Sequence, residues 1–101
     1  MPLTLAEVQT DIEAMYGAKD GSRGLDGTFM WFMEEVGELA GALRGGSPSE
    51  QSGEFADVLA WLATLANIAG VDLEAAYREK YGAGCPGCLA TPCRCGTAEK
   101  P

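Results

Sequence analysis

Five carboxylates fall into two short blocks, Glu34-Glu35-x-x-Glu38 and Glu54-x-x-Asp57, each set in an otherwise apolar, helix-patterned stretch. At about 100° per residue, Glu35 and Glu38 lie within about 60° of each other on one helix, and Glu54 and Asp57 do the same on the next. If the two helices pack side by side, four acidic side chains converge. Like charges brought together in a low-dielectric site repel strongly, and a hard cation is the natural remedy. Oxygen-only ligands suit Mg²⁺ or Mn²⁺ rather than zinc or copper. The chain contains no His, so carboxylates and metal-activated water are its chemical equipment.

A second group with chemical potential lies near the C-terminus: Cys85-Pro-Gly-Cys88, then Cys93-Arg-Cys95. A Cys-x2-Cys knuckle with Pro and Gly turns two thiolates toward one ion, and two further thiolates complete a tetrahedral set, which points to structural Zn²⁺. The Cys93–Cys95 spacing is tight, leaving room for one spare thiol. A redox or disulfide cluster and a free-thiol tail are the competing readings.

The elements that must position these groups are helices. Thr4-x-x-Glu7 forms a capping box, and Leu5, Val8, Ile12 and Met15 repeat at helical spacing, predicting a helix from about Leu5 to Tyr16. Gly17 to Gly27 is glycine-rich and reads as a flexible loop that carries Lys19, Asp20, Arg23 and Asp26. A second helix is expected from about Thr28 to Leu43, stopping at Gly45-Gly46. Ser47-Pro48-Ser49-Glu50 starts a third, which reaches about Ala69 and ends at Gly70, and Asp72 caps a fourth reaching Tyr81. No alternating strand pattern occurs. The expected fold is an all-α, four-helix bundle over residues 1–82, followed by a Cys-rich tail over 83–101.

Beyond Asp57 the third helix is apolar nearly all round, from Val58 through Ile68. A helix without a polar face needs cover on every side. A chain of 101 residues is too small to supply all of it, so a homodimer or homotetramer is expected. Gly37 and Gly41 either let a neighbouring backbone approach the second helix or are local weak points in it.

Composition bounds the partners. With 47% apolar and 22% charged residues the chain is globular. A net charge of −8 from only seven Lys and Arg argues against a duplex nucleic-acid partner. The apolar run from Val58 to Ala69 is too short to span a bilayer. No basic-then-apolar leader opens the sequence, so the expected compartment is the cytoplasm, where four cysteines fit metal ligation better than disulfides.

The string Trp31-Phe-Met-Glu-Glu-Val-Gly-Glu-Leu39, with Glu54-Phe-Ala-Asp-Val58 after it, resembles the MazG-like members of the all-α NTP pyrophosphatase superfamily, whose motif is EExxE, a spacer, then ExxD. Gly70 to Ala76 with Lys80-Tyr81 resembles the family's closing helix. The resemblance covers roughly Leu5 to Tyr81 and leaves the cysteines outside the general pattern. It implies Mg²⁺-dependent hydrolysis of a (deoxy)nucleoside triphosphate to the monophosphate and pyrophosphate, serving nucleotide-pool housekeeping. Glu35, Glu38, Glu54 and Asp57 would hold the metal, and Glu34 would be an outer ligand or orient the attacking water. It also implies that Lys80, at the end of the last helix, approaches the phosphates.

For the nucleobase, Trp31 shares the face of Glu35 and Glu38, and Trp61 shares that of Glu54 and Asp57. Either offers a stacking surface, although aromatics at this spacing also serve as core. Asn67 and Thr64 are the polar groups of the apolar helix and either read a base edge or bond to a neighbouring helix. The alternative to an enzyme is a non-catalytic helical interaction module, with a structural cation among the acids and a zinc-binding tail.

Overall fold

The computed structural model describes residues 2–96, so the last residues of the expected tail, 97–101, lie outside the described part, as does Met1. Among the described residues there are three helices and no strand: α1 (Leu5–Gly45), α2 (Pro48–Ala69) and α3 (Leu73–Tyr81). The principal packing is α2 against α1, with α3 touching α1 more sparsely.

The helix starts follow the capping chemistry. Thr4 Oγ1 accepts from Glu7 N at 3.1 Å while Thr4 N donates to the Glu7 carboxylate at 3.1 Å. Ser47 and Glu50 repeat this reciprocal pair at the head of α2, where Pro48 occupies the first turn. Asp72 Oδ1 accepts from Ala75 N at 3.0 Å to open α3. Gly70 ends α2 in the left-handed conformation, φ 72° and ψ 29°.

The expected loop over Gly17–Gly27 is not there: helix fills the stretch on both sides of a kink at Gly24, so α1 is two helical segments joined at that residue. The chain stays helical through this stretch and departs from helical geometry only at Gly24, φ 80° and ψ 173°. Glycine weakens a helix by about 1 kcal/mol relative to alanine, but here packing against α2 overrides that preference. Asp20 is 3% exposed, and its carboxylate pairs with Arg23 one turn later. Asp20 and Arg23 therefore lie on the inward side of the helical segment before Gly24, while Lys19 and Asp26 stay exposed.

A polar clamp fixes the far end. Gln9 Nε2 donates to Asn67 Oδ1 at 3.0 Å and to Val71 O at 2.8 Å, while Gln9 Oε1 accepts from Leu73 N at 2.8 Å. Asn67 Nδ2 returns a bond to Gln9 O at 3.1 Å. These bonds lock the α2–α3 turn onto the first half of α1.

The buried core is small, with Ile12 and Ala42 from α1 and Ala63 and Ala66 from α2. Much apolar surface lies outside it: Phe55, Leu59 and Leu62 recur on one side of α2, and Met30 is 71% exposed on α1. Among the described residues, no atom outside the neighbouring helix backbone lies within 4 Å of where a Cβ would stand at Gly37 or Gly41, so none makes the close approach those glycines would permit. Among the described residues no single helix is long and apolar enough to cross a membrane.

Candidate active site

The packing of α1 on α2 brings the two acid blocks together. Glu35 and Glu38 from α1 and Glu54 from α2 each place a carboxylate oxygen within 4.8 Å of the others. Glu35 Oε2 and Glu54 Oε2 are buried and have no hydrogen-bond partner. Burial, then the charge of Glu38 and after it that of Asp57, lifts the carboxyl of each above its usual range. Three converging acids, two of them with orphaned oxygens, form a donor set that fits a hard divalent cation.

Asp57 stands one turn beyond Glu54 on α2, near enough for its charge to bear on both Glu35 and Glu54, and it borders the adjoining cavity. Glu34 is exposed on α1 and is not among the three converging carboxylates.

That cavity, about 240 Å³, lies between the first half of α1 and α2. Tyr16, Lys19, Asp20 and Arg23 line one wall, and Asp57, Trp61 and Thr64 line the other. Trp61 is the hinge of the arrangement. Its ring stacks with Trp31 at 6.3 Å between centroids and carries the Arg23 guanidinium at 4.9 Å. The break at Gly24 lies between Arg23 and Trp31, so both halves of α1 meet the same indole.

The remaining expected contacts lie elsewhere. Asn67 is held by Gln9 in a separate, shallower depression and does not line the acid-adjacent cavity. Lys80 is exposed at the end of α3, its Nζ 5.8 Å from the Tyr81 ring centroid, and does not line the cavity either. Sequence reasoning missed the wall made by Tyr16, Lys19, Asp20 and Arg23. Their spacing of three, one and three residues is that of one helical face, and a reading past the glycines would have found it.

In the tail, all four sulfurs gather. Cys85 and Cys95 Sγ are 3.8 Å apart, Cys85 and Cys93 3.5 Å, and Cys88 and Cys93 4.0 Å. Four sulfurs placed about 2.3 Å from a central zinc would stand about 3.8 Å from one another. Cys93 and Cys95 both join the group, whose four sulfurs lie within 4.8 Å of one another. Arg94 N donates to Cys88 Sγ at 3.2 Å and Cys95 N to Cys93 Sγ at 3.3 Å, while Leu89 N closes the knuckle onto Cys85 O at 2.6 Å. All four are free cysteines, with no disulfide among them. Backbone N–H groups of Arg94 and Ala90 pull the Cys88 thiol down to about 6, whereas neighbouring sulfurs, Cys93 first, push Cys95 up to about 12.

An all-helical body that presents two acid blocks across one helix pair defines a nucleotide pyrophosphohydrolase of the all-α kind. The family description "MazG nucleotide pyrophosphohydrolase domain" matches residues 24–88, and the chain belongs to that family. A "dATP/dGTP diphosphohydrolase" of Cyanophage S-2L is 39% identical over 80 residues, which span 79% of this chain and 72% of that protein.

Proposed function

We propose that this nucleotide pyrophosphohydrolase converts purine deoxynucleoside triphosphates to the monophosphate and pyrophosphate, with Mg²⁺ or Mn²⁺ held by Glu35, Glu38, Glu54 and Asp57. The observation that carries the metal assignment is the meeting of three carboxylates from two helices within 4.8 Å, two of them with buried, unpartnered oxygens. The purine preference is supported by the activity named for the cyanophage relative.

The reaction adds water to a phosphorus and breaks the α–β anhydride bond, with pyrophosphate leaving and one proton released. When bound, the cation would offset charge that builds on the phosphate oxygens and ease deprotonation of the attacking water. The chain's own groups do the rest. The inward acids hold position because the part of α1 beyond Gly24 packs against α2, whose own start is fixed by the Ser47–Glu50 cap. Exposed Glu34 is available to orient the water and take up its proton. Lys19 and Arg23 put positive charge beside an otherwise acidic site, where a polyphosphate needs it.

Incubation with each canonical (d)NTP and Mg²⁺, scored for pyrophosphate, tests this reading. Release from dATP or dGTP that stops in Glu38→Gln with its helical content intact supports it; no release from any nucleotide refutes it. In that event, the competing role is a structural cation site in a helical interaction module.

Two further assignments accompany the enzyme. The tail holds one structural Zn²⁺ through Cys85, Cys88, Cys93 and Cys95, supported by sulfur separations that match a tetrahedral set. The exposed Phe55, Leu59 and Leu62 side of α2 is covered by a second copy in a homodimer or homotetramer, supported by how little apolar surface one chain buries. A cytoplasmic setting is consistent with thiols that stay reduced.

A further inference from the structure

Asp20 has a free acceptor in a place where a free acceptor is unfavourable. The residue is 3% exposed. Its Oδ1 accepts from Arg23 Nη1 at 2.9 Å, and its Oδ2 is buried with no partner. A buried carboxylate oxygen left unpaired is destabilising unless something completes it. Asp20 borders the cavity that joins the acid cluster at Asp57, and Trp61 forms part of the opposite wall.

We propose that Asp20 is a specificity-determining residue, its Oδ2 accepting a hydrogen bond from an exocyclic amino group of the substrate's nucleobase. The inference rests on the pyrophosphohydrolase reading for its substrate class and extends it to a contact with the base. The chemistry of the acceptor selects the group. A carboxylate repels phosphate and a base edge that offers only acceptors, and it welcomes an exocyclic amino or ring N–H. Position agrees. Trp61 lies seven residues beyond Glu54, about 10 Å along α2, so a nucleotide with its phosphates at the acids brings its base toward this end of the cavity. Arg23 serves as the positioning residue, since by holding Oδ1 it fixes the carboxylate and leaves Oδ2 for the ligand. A buried polar group that goes unpaired with the wrong ligand is the physical source of strong discrimination.

The test compares nucleotides that differ by one donor. Binding of non-cleavable α,β-methylene analogues of dGTP and dITP, and of dATP and its 6-deamino counterpart, is measured by titration calorimetry with Mg²⁺. Pyrophosphate release from the cleavable forms is followed in parallel. Wild type is expected to favour the amino-bearing member of at least one pair by about tenfold or more. Isosteric Asp20→Asn should collapse that ratio while weakening the deaminated member far less. Arg23→Lys should preserve the ratio with weaker binding overall. Equal weakening of every nucleotide by Asp20→Asn would overturn the proposal in favour of a purely structural ion pair. An Asp20-dependent response to 3′-deoxy analogues, with none to the amino group, would place the sugar hydroxyl there and overturn it as well. If Asp20→Asn fails to fold, wild-type ratios near one in both pairs are enough to overturn it. Binding ratios stand apart from turnover, so a lack of hydrolysis would count against the proposed activity and not against this contact.

Discussion

The indole of Trp31 stacks on that of Trp61 with centroids 6.3 Å apart and planes 17° from parallel. This pair ties the acid-bearing half of α1 to α2 at the point where the cavity begins. Trp61 also carries Arg23. Removing its ring therefore breaks an aromatic pair and a cation–π contact together. Trp61→Ala is expected to lower stability by about 2 kcal/mol, read from urea unfolding, and to raise KM. Trp61→Phe should recover most of the stability.

The acid cluster should show a conflict between stability and activity. With metal removed, Glu35→Gln relieves repulsion and satisfies an orphaned oxygen more easily, so the melting temperature is expected to rise. The same change should reduce turnover by about a hundredfold or more, because a metal ligand is lost. Thermal melts in chelator and pyrophosphate release with Mg²⁺ check the two halves. A melting temperature that falls would mean that the carboxylate is holding the fold.

The direction of pH dependence follows from the same geometry. Glu35 and Glu54 have carboxyls raised above their ordinary value by burial first, then by Glu38 and the neighbouring acids. Protons thus bind the folded state more tightly than the unfolded. The resulting contribution is fully present below the unfolded value and is lost as pH rises through the raised folded one. Metal-free protein should therefore gain stability from these groups on mild acidification from neutrality, and Mg²⁺ should shrink the gain. Melts across pH 5 to 7.5, with and without Mg²⁺, measure it.

The two glycines on either side of Ser22 and Arg23 should respond oppositely to alanine. Gly24 has φ 80° and ψ 173° with open space around it, so Gly24→Ala suffers backbone strain alone, about 1–3 kcal/mol. Gly21 is helical with nothing within 4 Å of a new Cβ, and Gly21→Ala should stabilise by roughly 0.5–1 kcal/mol. Paired denaturant titrations decide both.

Metal analysis should find one zinc per chain, retained through dialysis against EDTA-free buffer and lost in Cys85→Ser/Cys88→Ser. Far-ultraviolet circular dichroism should change little, because no cysteine lies within α1, α2 or α3.

Much of this was legible in the sequence, for identifiable reasons. Thr4, Ser47 and Asp72 announced helix starts because capping is local chemistry, readable without tertiary structure. The acid blocks were legible because their spacing fixes a helical face. The stretch around Asp20 was not. Its glycines argue for a loop on local propensity, and only contact with Trp61 and its neighbours on α2 makes helix the better state. Asn67 illustrates the same limit: the sequence left open a base contact or a helix contact, and the partner that engages it, Gln9, is 58 residues away.

The break at Gly24 divides α1 into a part that carries Glu35 and Glu38 and a part that carries Asp20 and Arg23. One residue's torsions thus set the angle between two helical segments that carry different surfaces. With the proposed base contact at Asp20, substitutions that re-aim that segment change base preference while leaving the carboxylates in place, so selectivity and hydrolysis are separately evolvable along α1.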